Sequence, residues 1–187
     1  MRQLHTHLRK FIHDRKGLAA LEFALIAPFL LLLYFGVVDL ANWYMMHRRL
    51  VLAGSTMADL TTQSAGTVTV GDINKYWTGV GDIIAPMTAT NVNLTIRNYR
   101  KDGSSARGKW KYNAGASCSE LPPAEQLVAI AASEMTEGND ILVAEVCTTL
   151  SPIVLQVFGG KSIELSYQIS MRPRLGKMLD CPSCPQL

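Results

Sequence analysis

The sequence lacks the residue sets that enzymes commonly use. It has four histidines, three of which fall in the first 13 residues, and it has no Ser-His-Asp set, no glycine-rich phosphate loop and no helix with metal-ligand spacing. It also has no internal repeats and no low-complexity segment. We therefore expect a protein that is not an enzyme, with no cofactor, no metal site and no evident small-molecule substrate.

A broad basic surface is also missing, although the formal net charge is +3. Residues 1–17 hold five Lys and Arg against one Asp, whereas the rest of the chain holds 13 basic and 14 acidic residues. A nucleic-acid-binding protein spreads its basic residues over a folded face. Here they are confined to a short tail beside an apolar segment, so we expect no nucleic-acid partner.

Charge is nearly absent from residues 18–38, where Glu22 is the one charged side chain. A helix of this length spans about 31 Å, which matches a hydrocarbon core of ~30 Å. A secretory signal has a shorter apolar region that ends at a small-x-small cleavage site, and a buried core helix keeps a polar face. The run therefore predicts one transmembrane helix.

The charges on either side of this run predict its orientation. The basic tail precedes it and Asp39 follows it, whereas Arg48 and Arg49 come later. Because positive charge favours the cytoplasmic side, residues 1–17 are expected in the cytoplasm and the C-terminal domain across the membrane.

Two residues inside the run need a separate explanation. Pro28 removes a backbone hydrogen bond and is expected to bend or loosen the helix. Glu22 either reaches to the lipid headgroups or is held for a positive charge on a partner. The residues of this stretch, taken alone, leave both interpretations of Glu22 open.

The order of residues at the start of the run resembles a known export signal. Arg15-Lys16-Gly17 ends the basic segment, and Leu18 to Phe23, with Glu22 as the fifth residue, opens the helix. This order resembles the class III signal of type IV pilins and pseudopilins. With Pro28 and Gly36-Val37-Val38-Asp39 added, the segment is more narrowly similar to the TadE-like pilus assembly proteins of the Flp/Tad type IVb system. Looser matches follow at Ala58-Asp59-Leu60, Ile84-Ala85-Pro86 and Arg172-Pro173-Arg174.

The resemblance implies a processing site. In such proteins a prepilin peptidase cuts after the glycine, so the expected cut lies between Gly17 and Leu18, with Glu22 and Phe23 completing the motif. The cut would give Leu18 a free amine, which is largely positive at neutral pH. Glu22 would then pair with that amine on a neighbouring subunit and set the axial register. Glu22, Pro28, Gly36 and Asp39 form the expected helix-assembly face.

The resemblance also implies a function. We expect a non-enzymatic pseudopilin-like subunit that assists assembly of an adhesive Flp/Tad-type pilus. It would be a single-pass protein of the bacterial inner membrane with a periplasmic C-terminal domain. Its partners would be other pilin and pseudopilin subunits and the pilus assembly platform. The alternative is an unprocessed anchor that displays a periplasmic partner-binding domain, in which Glu22 has no role.

Beyond residue 38 the pattern predicts an α+β, pilin-like fold with a long first helix. The helix continues to about residue 63, with 39–64 as its amphipathic part, and residues 65–187 form the domain. Its predicted apolar stripe comprises Leu40, Trp43, Tyr44, His47, Val51, Gly54, Ala58 and Thr61. Trp43 and Tyr44 are expected in an interfacial aromatic belt, in core packing, or in both.

The remaining pattern predicts two further helices and an antiparallel sheet of about four strands. Asp72 is expected to cap a helix that ends at Pro86, and a second helix is expected at 122–136. Alternating apolar residues predict a β-hairpin with strands at 90–100 and 107–113 and Asp102-Gly103 in its turn. Two further strands are expected at 140–150 and 162–172, with a short turn or helical piece at 152–158 between them.

Cys118, Cys147, Cys181 and Cys184 all lie in the predicted periplasmic domain. An even number of cysteines in an oxidising compartment predicts two disulfides, with three pairings open. We favour Cys118–Cys147 and Cys181–Cys184. Cys181-Pro-Ser-Cys184 also suggests a membrane-tethered thiol oxidoreductase, but no helix follows this motif to lower the thiol pKa.

Overall fold

The computed structural model describes residues 16–85, 91–116, 118 and 136–187. A single helix, α1, runs from Lys16 to Thr62 and includes Pro28. With 47 residues it is about 70 Å long at 1.5 Å per residue. The prediction of one long first helix is confirmed.

Among the described residues of α1, the fully buried side chains all lie in the second half of the helix, on one face. The buried side chains recur at helical spacing, as expected for an amphipathic helix on a sheet; they are Leu50, Ala53, Met57, Ala58, Thr61 and Thr62. Gly54 and Ala58 of the predicted stripe are buried, whereas Leu40, Trp43 and Tyr44 are exposed. The core-packing interpretation of Trp43 and Tyr44 is therefore wrong, because both side chains are exposed.

The second helix, α2, spans Val70–Ile84 and buries Ile73, Trp77, Val80 and Ile84 against the core. Its N-cap is Thr69 rather than the predicted Asp72. The Thr69 side chain accepts a hydrogen bond from the backbone N–H of Asp72, and Asp72 accepts one from the backbone N–H of Thr69. This reciprocal capping box uses the acidic residue three positions inside the helix. Pro86 lies outside the described residues.

The four strands form one antiparallel sheet, as predicted, and their order in the sheet is β2-β1-β3-β4. The strands are β1 Val92–Asp102, β2 Ser105–Ala114, β3 Asp140–Leu150 and β4 Ile163–Met171. Gly103 adopts a positive φ of 64° in the β1–β2 turn, which suits a residue without a side chain. A short helix, α3, spans Ile153–Val157 between β3 and β4. The predicted helix at 122–136 falls almost wholly outside the described residues.

The core lies between the sheet and helices α1 and α2. Leu142, Ala144 and Val146 of β3 belong to this core, whereas Ile141 and Val143 join Tyr99 in a smaller cluster. Successive side chains of a strand point to opposite faces, so β3 is buried on both sides. α1 packs against β3, β4, α2 and α3. This arrangement fixes the direction in which the N-terminal part of α1 leaves the domain.

The C-terminal segment after β4 closes the domain. Its residues 185–187 run beside the edge strand β2, where Lys111 N–H donates to Pro185 O and Leu187 N–H donates to Lys109 O. Exposed strand edges promote unwanted pairing, and this segment covers part of one edge.

Candidate functional site: the free half of the first helix

Residues 17–35 of α1, here called its free half, stand clear of the described part of the domain. Every described side chain from Gly17 to Phe35 is exposed except Ala27, which is half-buried. By length and composition the helix can cross a membrane, and its most apolar window has a mean hydropathy of 2.3 with no part buried. Leucine and phenylalanine side chains this exposed need a covering in the cell, because contiguous apolar patches are rare on soluble monomers.

Glu22 is the one charged side chain on this free half above the tail. At about 100° per residue, Glu22, Pro28, Gly36 and Asp39 fall within about 120° of the helix circumference. Leu50 and Met57, which face the core, fall on the same side. The four predicted assembly residues therefore share one face of α1, and this face continues into the one that packs on the domain.

Asp39 makes a contact that the sequence did not reveal. Ile153 N–H donates to Asp39 Oδ1 at 2.9 Å, and Val154 N–H donates to Asp39 Oδ2 at 2.8 Å. These are the first two backbone donors of α3, whose N-cap residue Pro152 provides no side-chain cap. A carboxylate at a helix N-terminus satisfies such donors. Asp39 thus joins the end of the apolar run to the β3–β4 connection.

Exposed aromatic side chains follow Asp39 by one turn. The Trp43 ring stacks on His47, with ring centroids 5.6 Å apart, and Tyr44 is also exposed. This position is the one expected of an interfacial aromatic belt, which stays a prediction.

Two of the looser motif matches meet at the far end of α1. Arg174 Nη2 lies 2.5 Å from Asp59 Oδ1, and Arg174 N–H donates to Thr62 O at 3.0 Å. The segment that follows β4 is therefore tied to the last turn of the long helix. The sequence indicated both tripeptides but could not indicate their contact, because 115 positions separate them.

The cysteines lie in two pairs. Cys118 and Cys147 are bonded with a Cα–Cα distance of 5.7 Å, and Cys181 and Cys184 with one of 5.3 Å. This is the pairing that the sequence analysis favoured. Cys181 and Cys184 are 2 % and 6 % exposed, whereas thiol exchange needs an attacking thiolate to reach the sulfur. The burial of this pair weighs against an oxidoreductase.

Within the described residues, one group of possible metal ligands occurs, formed by Cys118, Cys147 and Glu164. Its two sulfurs are bonded to each other. Metal binding requires free thiolates, so the group does not suit a metal in this oxidised form.

The comparison with protein families gives a match within this helix. Residues 17–59 match the model of the family described as TadE-like protein. This segment is TadE-like. The match confirms the resemblance seen in the residues and includes Gly17, Glu22, Pro28, Gly36 and Asp39. It indicates a membrane protein associated with a Tad pilus. No curated protein and no solved structure matches the chain.

The TadE-like segment ends at Asp59, before α2 and the sheet. It therefore contains the whole free half of α1 and most of the face that packs on the domain.

Proposed function

We propose that the protein is a pseudopilin-like subunit, anchored in the bacterial inner membrane, that assists assembly of an adhesive Flp/Tad-type pilus. Residues 1–17 lie in the cytoplasm, residues 18–38 cross the membrane, and residues 65–187 form the periplasmic domain. Other pilin and pseudopilin subunits, the assembly platform and a prepilin peptidase are its partners.

The observation that carries this proposal is the exposure of the free half of α1 within a TadE-like segment. A helix that only completed a soluble core would bury this apolar surface in its own domain. Here the domain leaves it uncovered, so the surface is available first to lipid and then to the helices of other subunits. Packing and interhelical contacts can hold such helices together in a membrane.

Glu22 sets the register of that bundle in this proposal. Its side chain is exposed, and within the described part of the chain it has no hydrogen-bond or ion-pair partner. A carboxylate in hydrocarbon favours a positive partner. The free amine of Leu18 on a neighbouring subunit is that partner after cleavage, and one buried polar pair at a single height specifies axial alignment.

The test begins with the mature N-terminus. Mass spectrometry of the protein from cells that contain the peptidase should find Leu18 as the first residue. Gly17→Arg should block the cut and leave Met1 or Arg2 first. Deletion of the gene should remove most surface pili, and the full chain should restore them.

Two results would overturn parts of this proposal. An intact N-terminus in normally piliated cells would remove the processing step while leaving the anchor. Normal piliation in the deletion strain would remove the assembly function itself, and an unprocessed anchor with a partner-binding domain would then be the better description.

A further inference from the structure

The connection between β3 and β4 exposes an unusual amount of apolar surface. Residues 151–162, which include α3, are here called the β3–β4 connection. Four of its apolar side chains are at least 38 % exposed, namely Ile153, Leu155, Val157 and Phe158, and so is Ile163, the first residue of β4. Lys161 is its one charged residue. A loop on an ordinary soluble surface is mostly polar, so this composition requires a covering.

The height of this connection along α1 is fixed by Asp39. That residue immediately follows the apolar run, and its two carboxylate oxygens hold the first two backbone donors of α3. Gly36 and Val38 of α1 are half-buried, in contrast to residues 28–35, which are exposed. The connection therefore lies where the apolar run ends. If α1 crosses the membrane, as the proposed function requires, this level is the boundary between hydrocarbon and water.

We propose that the β3–β4 connection is a second membrane contact, which lowers Val157 and Phe158 into the phospholipid surface beside the transmembrane helix. Its occupant is the lipid of the periplasmic leaflet. Apolar and aromatic side chains enter the region between headgroups and acyl chains, and a nearby lysine meets the phosphates.

Continuity with the membrane span argues for lipid as the occupant. Trp43 and Tyr44 lie only four and five residues beyond Asp39, about 6–8 Å along the axis, and both are exposed. Aromatic residues at this height are typical of the lipid interface. The β3–β4 connection therefore lies beside α1 at about the height of these two aromatic residues. Two attachments rather than one would restrict how the domain tilts about α1.

The contact is tested on the full chain in vesicles of phosphatidylethanolamine and phosphatidylglycerol. An NBD fluorophore is placed on a non-natural amino acid at position 157, or at position 104 as the control. Ser104 lies in the exposed β1–β2 turn, and the antiparallel pairing puts that turn at the opposite end of the sheet from α3. The label at 157 should show blue-shifted emission and be quenched by nitroxide-bearing lipid. The label at 104 should show neither effect.

Two variants test how the contact is made. Phe158→Asp, at an exposed position that leaves the core intact, should abolish quenching of the 157 label by nitroxide lipid. Asp39→Ala removes the two carboxylate oxygens that accept hydrogen bonds from the backbone of α3. It should reduce the quenching of the 157 label several-fold. Unchanged quenching in both variants would overturn the proposal.

The remaining outcomes separate this inference from the membrane anchor. If the protein stays in the membrane after alkaline carbonate extraction while the 157 label is as accessible to aqueous iodide as the 104 label, the inference fails and the anchor stands. Release by carbonate means that the anchor itself fails. Shielding of the 157 label from iodide without quenching by nitroxide lipid would show a protein occupant and contradict the lipid contact.

Discussion

At the scale of single residues, Asp140 is the most constrained charge in the domain. It is fully buried and faces Arg100, whose Nε lies 2.6 Å from Asp140 Oδ1. Asp140 Oδ2 also accepts from the Asn98 amide and from Leu179 N–H. Hydrogen bonding to Asp140 raises the pKa of the Arg100 guanidinium above its ordinary value, and Asp180 adds to this. The pair joins β1 and β3 to the C-terminal segment.

Removal of this charge should therefore destabilise the domain. Asp140→Asn leaves Arg100 without its buried counter-ion and should lower the free energy of unfolding by about 3 kcal/mol. Asp102→Asn is the matched control, because the Asp102–Arg107 pair is exposed and should contribute less than about 1 kcal/mol. Urea unfolding of the detergent-solubilised chain, followed by tryptophan fluorescence, measures both. Equal losses would show that burial does not strengthen the Asp140 pair.

Asp72 provides a prediction about pH. The side-chain hydrogen bond from Thr69 lowers the pKa of Asp72 in the folded state. A lowered folded pKa means that the stabilisation is present above the unfolded value of about 4 and is lost as pH falls through the folded value. Asp72→Ala should thus lower the Tm at pH 7, and the difference from wild type should shrink below about pH 4. Asp82→Ala, in the last turn of α2, should show no such loss; a constant Tm difference for Asp72→Ala at all pH values would be inconsistent with this role.

At the scale of elements, α1 and the sheet approach closely at Gly54. A Cβ at this position would lie 3.0 Å from Tyr167 Cδ1 and 3.1 Å from Val146 Cγ2. Gly54 costs some helical stability but allows the long helix to lie against β3 and β4. This close approach sets the angle between the free half of α1 and the domain.

A larger side chain at this point should push the two layers apart. Gly54→Val should reduce the free energy of unfolding by about 1–3 kcal/mol, because it overpacks a tight contact. Gly79→Ala is the control, since nothing lies within 4 Å of its added Cβ and alanine favours a helix by about 1 kcal/mol over glycine. Chemical unfolding should therefore shift in opposite directions for the two variants. A stabilised Gly54→Val would refute the close-packing explanation.

The elements that depend on local pattern were predictable from the sequence. The apolar run and its continuation predicted α1 to within two residues of its ends because helical periodicity is a property of neighbouring residues. Period-two alternation likewise predicted β1 and β2, whereas β3 is buried on both faces and shows no such alternation. The cap of α2 was assigned three residues too late, because Thr69 and Asp72 share the capping box and either residue type fits the position.

Contacts between distant segments could not be predicted in this way. Nothing in the sequence around Asp39 or Pro152 indicates that Asp39 caps α3, the helix that follows Pro152. The link from Asp59 to Arg174 and the burial of Asp140 depend on the whole chain path. The predicted stripe from Leu40 to Tyr44 is exposed for the same reason, since periodicity does not tell which part of an apolar stripe a distant segment covers.

At the scale of the whole molecule, the protein divides into a free apolar helix and a domain that grips the other half of that helix. Polar contacts join this half of α1 to the domain at both of its ends. Asp39 accepts hydrogen bonds from the backbone of α3, and Asp59 forms an ion pair with Arg174. Two disulfides further restrict the domain. This organisation suits a subunit whose domain stays folded while its free helix exchanges lipid contacts for contacts with other helices.

The most direct measurement of this account is the number of surface pili in cells that carry Glu22→Ala. Leu31→Ala, which shortens an exposed apolar side chain on the opposite side of α1, is the control, and immunoblotting must show equal amounts of each variant in the membrane. The account predicts that Glu22→Ala sharply reduces pili while Leu31→Ala retains them. Normal pili in the Glu22→Ala cells at equal membrane levels would contradict the assignment of the free helix as the assembly surface.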